Sequence, residues 1–592
     1  MKAFTEPLLS LAGFEEMTKT AEKSSGLISV TGCIDAQKSQ MIYAFGGHRK
    51  NKLIVTFGEQ KAKELYDEYS FFDKEVVYYP SKDVLFYQSD IRGNLLTAER
   101  IRALKAIREQ ERVTLVTTFD ALMNTMAPIE KMWENVLTLE QGQLLDLKEI
   151  QAALIRMGYE KEYQVQTMGQ FSVRGGILDV FPLTEENPIR IELWGDEIDT
   201  IRYFDCESQK SIENTDRVSI YPAAELVLSD EEKAGGIEKL KAEAKRVSDK
   251  LRKQMKTEEA HRVTVMADEL TEEWGELSMY AGMDAFLSYF FDERVGLLDY
   301  FNPSDSLIFF DELTRCAEQG KLTETEFSES MKQRLAMGYI LPGQMNGLFT
   351  EKEIVAKLEK YSCIALGALD NKANGLHQLG SYGIHCQSVS PYNNSFELLI
   401  KDLKRYKKNG YRVILLSGSR TRAKRLSEDI TDQGITCFYT ENYDHELFEG
   451  QIMVCYGKVR RGFEYPILKF AVITESDIFG AQQKKKKRHR TYEGEKIQSF
   501  TDLSVGDYVV HENHGLGIYR GIEKLEVDKK VKDYIKIEYQ GGSNLYILAT
   551  QLDMIQKYAG KDARKPKLNK LGGQEWTRTK NRVRGAVKQI AG

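Results

Sequence analysis

After the apolar run LISVT the chain reads GCIDAQKS from Gly32 to Ser39, which is the spacing of a phosphate-binding loop, G-x-x-x-x-G-K-[ST], with Gln37 at the second glycine. A working loop of this kind wraps backbone N–H groups around the β- and γ-phosphates, with lysine as a point charge and the hydroxyl on magnesium. Lys38 and Ser39 retain those residue types. The glycine before the lysine allows the backbone to approach the phosphates in a conformation that a Cβ disfavours by roughly 1–3 kcal/mol, so Gln37 works against the loop. Asp35 works against it further, because a carboxylate about 4 Å from a phosphate charge is repelled by roughly 4 kcal/mol at an effective dielectric near 20.

A nucleotide hydrolase also needs an acidic pair at a strand end to hold magnesium and orient water. Asp311 and Glu312, closing the apolar run LIFFDE, have that form. The two degenerate motifs, in the expected order, point to descent from a helicase-type ATPase that no longer turns over. No catalytic residue is expected, and Lys38 is expected to be replaceable without loss of function. The sequence contains no intact G-x-x-x-x-G-K-[ST] elsewhere.

With 592 residues and 42% apolar content, the chain has room for several domains. It has no apolar run of about 18 residues, and its first residues lack the basic start and unbroken apolar stretch of a signal peptide, so it reads as cytoplasmic and not membrane-bound. The seven cysteines are scattered, without C-x-x-C pairs, and read as buried thiols. His511 and His514 have metal-like spacing but no third ligand, so no metal site is expected. The net charge of -6 conceals two basic segments, KKKKRHR from Lys484 to Arg490 and the tail from Lys561. Such runs serve as solvated linkers or neutralise nucleic-acid phosphates.

The elements that must position these residues alternate in texture along the chain. From about 26 to 130, runs such as LIVTF and VTLVTTF alternate with charged helical stretches, which implies parallel strands with crossover helices. Short β-rich pieces with glycine punctuation follow, then IEKLKAEAKRVSDKLRKQM, where Ile237, Leu240, Ala244, Val247 and Leu251 form one face of an amphipathic helix. A second α/β unit is followed by a basic linker and a glycine-broken β-rich segment of about five strands. The reading is a multidomain α/β protein: residues 1–145 and 229–345 form an ATPase-like domain interrupted by an inserted β-rich domain at 146–228. Residues 346–384 are a linker, 385–480 the second α/β domain, 481–500 the basic linker, 501–560 a small all-β SH3/Tudor-like barrel, and 561–592 a basic linker and the start of a helix. That last helix begins without a terminating signal, so the chain reads as a fragment.

The segments GQFSVRGGILDVFPL, IRIELWGDEIDTIRYFD, VGDYVVHENHGLGIYRGI and LYILATQLDMIQKYAG occur in one order that resembles the bacterial transcription-repair coupling factors (Mfd). The closing KLNKLGGQEWTRTKNRVRGAVKQIA resembles the family's stretch just before its motor. The resemblance covers essentially the whole chain and implies a UvrB-like, degenerate helicase fold in its first part. It also implies that the span between Tyr79 and Arg100 is too short and polar to form the aromatic hairpin with which UvrB grips damaged DNA.

The resemblance further implies that the inserted domain binds UvrA through Arg174, Arg190 and Trp194, the last replacing the family's usual Phe. Arg190 and Trp194 are four apart in a strand and project from one face, and Arg with Trp is a favoured hot-spot composition. The small barrel resembles the CarD-like module that binds the RNA polymerase β subunit, with Leu525 as the leading contact and Ile522 and Val527 beside it. The family's ATP-driven translocase, with its ATP and Mg, and the domain that masks the UvrA face are expected to lie beyond this chain. The expected function is a platform for transcription-coupled repair with no cofactor of its own, touching DNA mainly through the missing motor. Two alternatives are an active UvrB-like ATPase and a stand-alone CarD-like regulator of RNA polymerase.

Overall fold

The computed structural model describes residues 1–46, 49–82, 94–206, 208–276, 283–369, 375–480, 494–496, 503, 505–511, 515–527, 530–540, 543–548, 555–558 and 568. In chain order, β1 (Gly26–Thr31), β2 (Asn51–Thr56), β3 (Val77–Tyr79) and β4 (Val113–Thr118) alternate with helices Asp35–Phe45, Glu59–Tyr69 and Asn94–Glu109. All six residues of β4 are buried, as expected of a strand covered on both faces.

The chain then leaves this sheet for β5 (Leu137–Glu140), β6 (Glu160–Lys161), β7 (Gln170–Arg174), β8 (Ile177–Val180), β9 (Ile189–Trp194), β10 (Glu197–Phe204), β11 (Ser211–Thr215) and β12 (Arg217–Ile220). It returns through helix Asp230–Lys253, whose start is fixed by a capping box between Ser229 and Glu232. That helix buries Leu240, Ala244 and Leu251, with Ile237 and Val247 against the same core, the face that its periodicity predicts.

The first sheet is then completed by β13 (Ser306–Asp311), β14 (Ser362–Leu366) and β15 (Gln378–Gly383). Its order is β15-β1-β14-β13-β2-β4-β3, and every pairing is parallel. This corrects the expected linker at 346–384. Helix Glu351–Leu358, β14 and β15 belong to the first domain, and β1 lies between β14 and β15. The apolar run SCIAL is too short to announce itself as a strand, and only pairing with β1 and β13 gives it a place.

The insert is a six-stranded sheet, β11-β10-β9-β8-β7-β6, attached through the two-stranded pair β12-β5. Pairing of Leu137–Glu140 with Arg217–Ile220 brings the start of the insert ahead of the expected residue 146. The next unit contains β16 (Gln387–Ser388), β17 (Arg412–Ser417), β18 (Phe438–Tyr439), β19 (Ile452–Tyr456), β20 (Phe463–Tyr465) and β21 (Phe470–Thr474), ordered β16-β20-β21-β17-β19-β18.

A shared core lies between the first sheet and this second α/β sheet. Phe4, Phe14, Met17, Met41, Ile42, Leu65 and Tyr69 pack with Ile54, Phe309 and Ile364 of one sheet and with Ile414, Met453, Phe463 and Phe470 of the other. Each fully buried large apolar side chain contributes about 1.5–3 kcal/mol, so this layer joins the two sheets firmly.

The last unit contains β22 (Gly494–Lys496), β23 (Tyr508–His511), β24 (Gly515–Val527), β25 (Lys530–Glu538), β26 (Asn544–Leu548) and β27 (Ile555–Tyr558), a six-stranded antiparallel sheet ordered β22-β27-β23-β24-β25-β26. β22 falls within the stretch expected to be linker, because its three residues pair with β27. Among the described residues no helix is long and apolar enough to cross a membrane. None of the seven cysteines, all described, forms a disulfide, and five of them are buried.

Candidate functional site

The loop after β1 is shorter than a phosphate loop requires. Helix Asp35–Phe45 begins at Asp35, so Gln37 adopts helical backbone and the strain expected of its Cβ does not arise. The position that needs glycine is Gly32, at φ +77°, where a Cβ would collide with the Ile384 carbonyl oxygen. The amides that would face a phosphate are already committed: Gly32 N–H donates to Ala368 O at 3.2 Å and Cys33 N–H to Gly367 O at 3.0 Å.

The charges of the site face one another. Lys38, 1% exposed, donates from Nζ to Asp311 Oδ1 at 2.5 Å, Glu312 Oε1 at 2.9 Å and Asp35 Oδ1 at 3.1 Å. Asp311 is also buried, and its second oxygen accepts from Thr56 Oγ1 at 2.9 Å. Glu312 sits at φ +59°, where it accepts from Ala368 N–H at 3.2 Å. Burial works against the Lys38 charge, but the Asp311 and Glu312 carboxylates outweigh it and raise the ammonium above the ordinary lysine range. Asp35 turns toward Lys61 at 2.8 Å as well as toward Lys38.

Sequence spacing therefore brings the right residues together, since Lys38, Asp311 and Glu312 do meet, but they meet as an internal ion cluster. These residues, as placed, do not fit a triphosphate with magnesium: the lysine and the acidic pair are bound to one another, and the Gly32 and Cys33 amides to the Ala368 and Gly367 carbonyls. For the fold, the pairing of Lys38 with Asp311 and Glu312 argues against the expectation that Lys38 is replaceable. Removing it leaves Asp311 as a buried, uncompensated carboxylate, which costs about 3–5 kcal/mol.

In the insert, Asp179 gathers both arginines. Arg190 pairs with it bidentately, Nε to Oδ1 at 2.7 Å and Nη2 to Oδ2 at 2.9 Å, and Arg174 Nη2 reaches Oδ2 at 2.8 Å. Arg190 also donates to Gln209 Oε1 at 2.8 Å and lies over the Phe204 ring. The Arg190 fork, of a shape that suits a carboxylate, is thus already engaged by this chain's own buried Asp179. Trp194 is different: at the end of β9 it is 84% exposed. Sequence reading missed Asp179 because it lies opposite Arg190 only through the β8–β9 register, for which GGILDVF carries no local signal.

A second buried charge group ties the insert's return segment to the first domain. Glu225 receives Arg100 Nε at 2.8 Å and Lys82 Nζ at 3.1 Å, and Lys82 also meets Asp284 at 3.0 Å. Burial opposes ionisation of Glu225, but Arg100 and Lys82 hold its carboxyl down to about 2. Between these anchors, residues 83–93 of the span expected to lack a DNA-gripping hairpin lie outside the described residues.

In the last sheet, Leu525 and Val527 stand opposite Lys532 and Lys530 in the β24–β25 register, and Ile522 opposite Ile535. β23 pairs with β24 only as far as Ile518, so the Ile522–Val527 segment has a strand partner on one side among the described residues. Ile522 is exposed. His511 is buried in β23, whereas His514, Lys484–Arg490 and, apart from Leu568, the basic tail lie outside the described residues.

Taken together, a seven-stranded parallel sheet, with Lys38, Asp311 and Glu312 paired at the loop after its first strand, carries β-rich modules in a mixed α/β multidomain chain. Residues 137–226 match the UvrB interaction domain, and residues 503–559 match the CarD-like/TRCF RID domain. The chain is 32% identical over 541 residues to the transcription-repair-coupling factor of Bacillus subtilis (strain 168), covering 91% of this chain and 45% of the relative. It is 31% identical over 576 residues to that of Staphylococcus haemolyticus (strain JCSC1435), covering 95% and 48%. The chain is thus homologous to transcription-repair-coupling factors over 91–95% of its own length, and it spans about half the length of the curated relatives it matches.

Proposed function

We propose that this chain is a docking platform for transcription-coupled DNA repair, in which the 137–226 module recruits UvrA and the 503–559 module engages the RNA polymerase β subunit. The observation that carries this reading is the presence of both interaction modules, in this order, on a scaffold whose phosphate loop is closed by Lys38, Asp311 and Glu312. Arg174, Arg190 and Trp194 are assigned to UvrA, with Trp194 as the anchor that enters the interface and the arginines as residues that set the sheet face around Asp179. Leu525, Ile522 and Val527 are assigned to the polymerase, whose sheet the edge of β24 would extend. The chain acts in the cytoplasm without a nucleotide of its own; ATP, Mg and the main DNA contacts belong to a translocase outside it.

Co-precipitation with purified UvrA and with the polymerase β subunit tests the reading. Both are expected to be captured, and loss of both captures overturns it. Hydrolysis of Mg-ATP above a protein-free blank, with or without DNA, favours the ATPase alternative. Capture of polymerase alone favours the CarD-like regulator.

A further inference from the structure

Beside Trp194 the insert carries a groove of about 730 Å³ between the β9–β10 hairpin and the β5–β12 pair. Its lining includes Glu140, Glu197, Asp199 and Asp216 against a single cation, Arg217, which already pairs with Glu140 at 3.2 Å. The carboxylate-bearing residues are all exposed. The groove is held open by backbone: Gly142 N–H donates to Ile198 O at 2.8 Å and Gln141 N–H to Asp216 O at 2.9 Å. At Gly142, φ +83°, a Cβ would find only Glu197 Oε1 within 4 Å, so the floor is clear of other side chains.

Trp194 pairs with Glu197 across the hairpin, which puts an open indole face at the rim of a groove with three more carboxylates than cations. An exposed tryptophan next to exposed carboxylates is complementary to an arginine or lysine, which the ring attracts by its quadrupole and the carboxylates by charge. Arg174 and Arg190 are engaged with Asp179, so the open charge on this part of the module is negative.

We infer that the groove beside Trp194 receives a cationic segment of the protein partner, an arginine- or lysine-bearing loop whose side chain lies over the indole and ends among Glu197, Asp199 and Asp216. This rests on the reading of residues 137–226 as the UvrA-recruiting module. It gives that module a polarity opposite to the one its two arginines announce.

The test is the affinity of the full chain for purified UvrA, measured by biolayer interferometry at low and moderate salt. The variants are Glu197→Lys with Asp199→Lys, their neutral counterparts Glu197→Gln with Asp199→Asn, and Trp194→Ala, with thermal melts as folding controls. Charge reversal is expected to weaken binding by about tenfold or more and to flatten its salt dependence, with the neutral pair in between. Charge reversal that leaves affinity within about twofold while Trp194→Ala weakens it overturns the groove and leaves UvrA recruitment standing. Wild-type chain that fails to bind UvrA overturns both.

Discussion

The ion cluster at Lys38 and the face around Trp194 were built from residue types of similar chemical promise, and they ended in opposite states. At Lys38 every charge faces another charge of the same chain, and the lysine is sealed from solvent. In the insert the arginines are likewise turned inward onto Asp179, but the indole of Trp194 and the neighbouring carboxylates stay open. Residue type announces what a group can bind; burial decides whether anything outside the chain can reach it. A buried charge is held by its partners, so removing one partner unbalances the fold, whereas removing an exposed group changes only recognition.

Four experiments break or sharpen that contrast. Lys38→Ala is expected to destabilise the chain by about 3–5 kcal/mol, read as a large fall in melting temperature, and Lys38→Met combined with Asp311→Leu to recover much of the loss. A melting temperature unchanged by Lys38→Ala would show that the cluster is not structural. The same variant is therefore unsuited as an inactive control for ATP hydrolysis.

Glu225 supplies the pH lever. Its folded pKa of about 2 lies below the unfolded value of about 4.3, so its contribution is present above the unfolded value and is lost as pH falls through the folded one. The difference corresponds to about 3 kcal/mol. Urea midpoints measured from pH 6 to pH 3 should fall, and Glu225→Gln should flatten that slope; an unaltered slope would remove Glu225 as its source.

Arg190→Ala should cost about 2 kcal/mol, less than at Lys38 because Arg174 remains on Asp179. A loss of UvrA capture in that variant is to be compared with its melting curve, since the guanidinium assigned to the partner face is the one that pairs with buried Asp179. Trp194→Ala should leave stability within about 0.5 kcal/mol while reducing UvrA capture, because the side chain is exposed. Unchanged capture would move the anchor elsewhere on the insert.

Much of the first sheet was legible along the chain because parallel, doubly covered strands such as β4 leave continuous apolar runs. The return helix was legible for a similar reason, its periodicity marking the buried face at Leu240, Ala244 and Leu251. β14 and β15 were not, and residues 346–384 read as a linker, because five or six residues of strand carry little periodic signal until a neighbour is known. The convergence of Lys38, Asp311 and Glu312 could be read from motif order, but their mutual pairing could not. Motif spacing says which residues share a site, while the path of the loop between Thr31 and Asp35 decides what the amides and the ammonium meet.

By itself the sequence determined the kinds of module present, the failure of the loop to match a working one at Gln37 and Asp35, and the presence of an aromatic beside two arginines in the insert. Only the tertiary structure decided that Lys38 is sealed onto Asp311, that Asp179 takes both arginines, and that an acidic groove opens beside Trp194. The physical reason is that these outcomes depend on charges brought together from distant parts of the chain or across strand registers. Coulombic pairing and burial are properties of distance and solvent access, and neither is written in local composition.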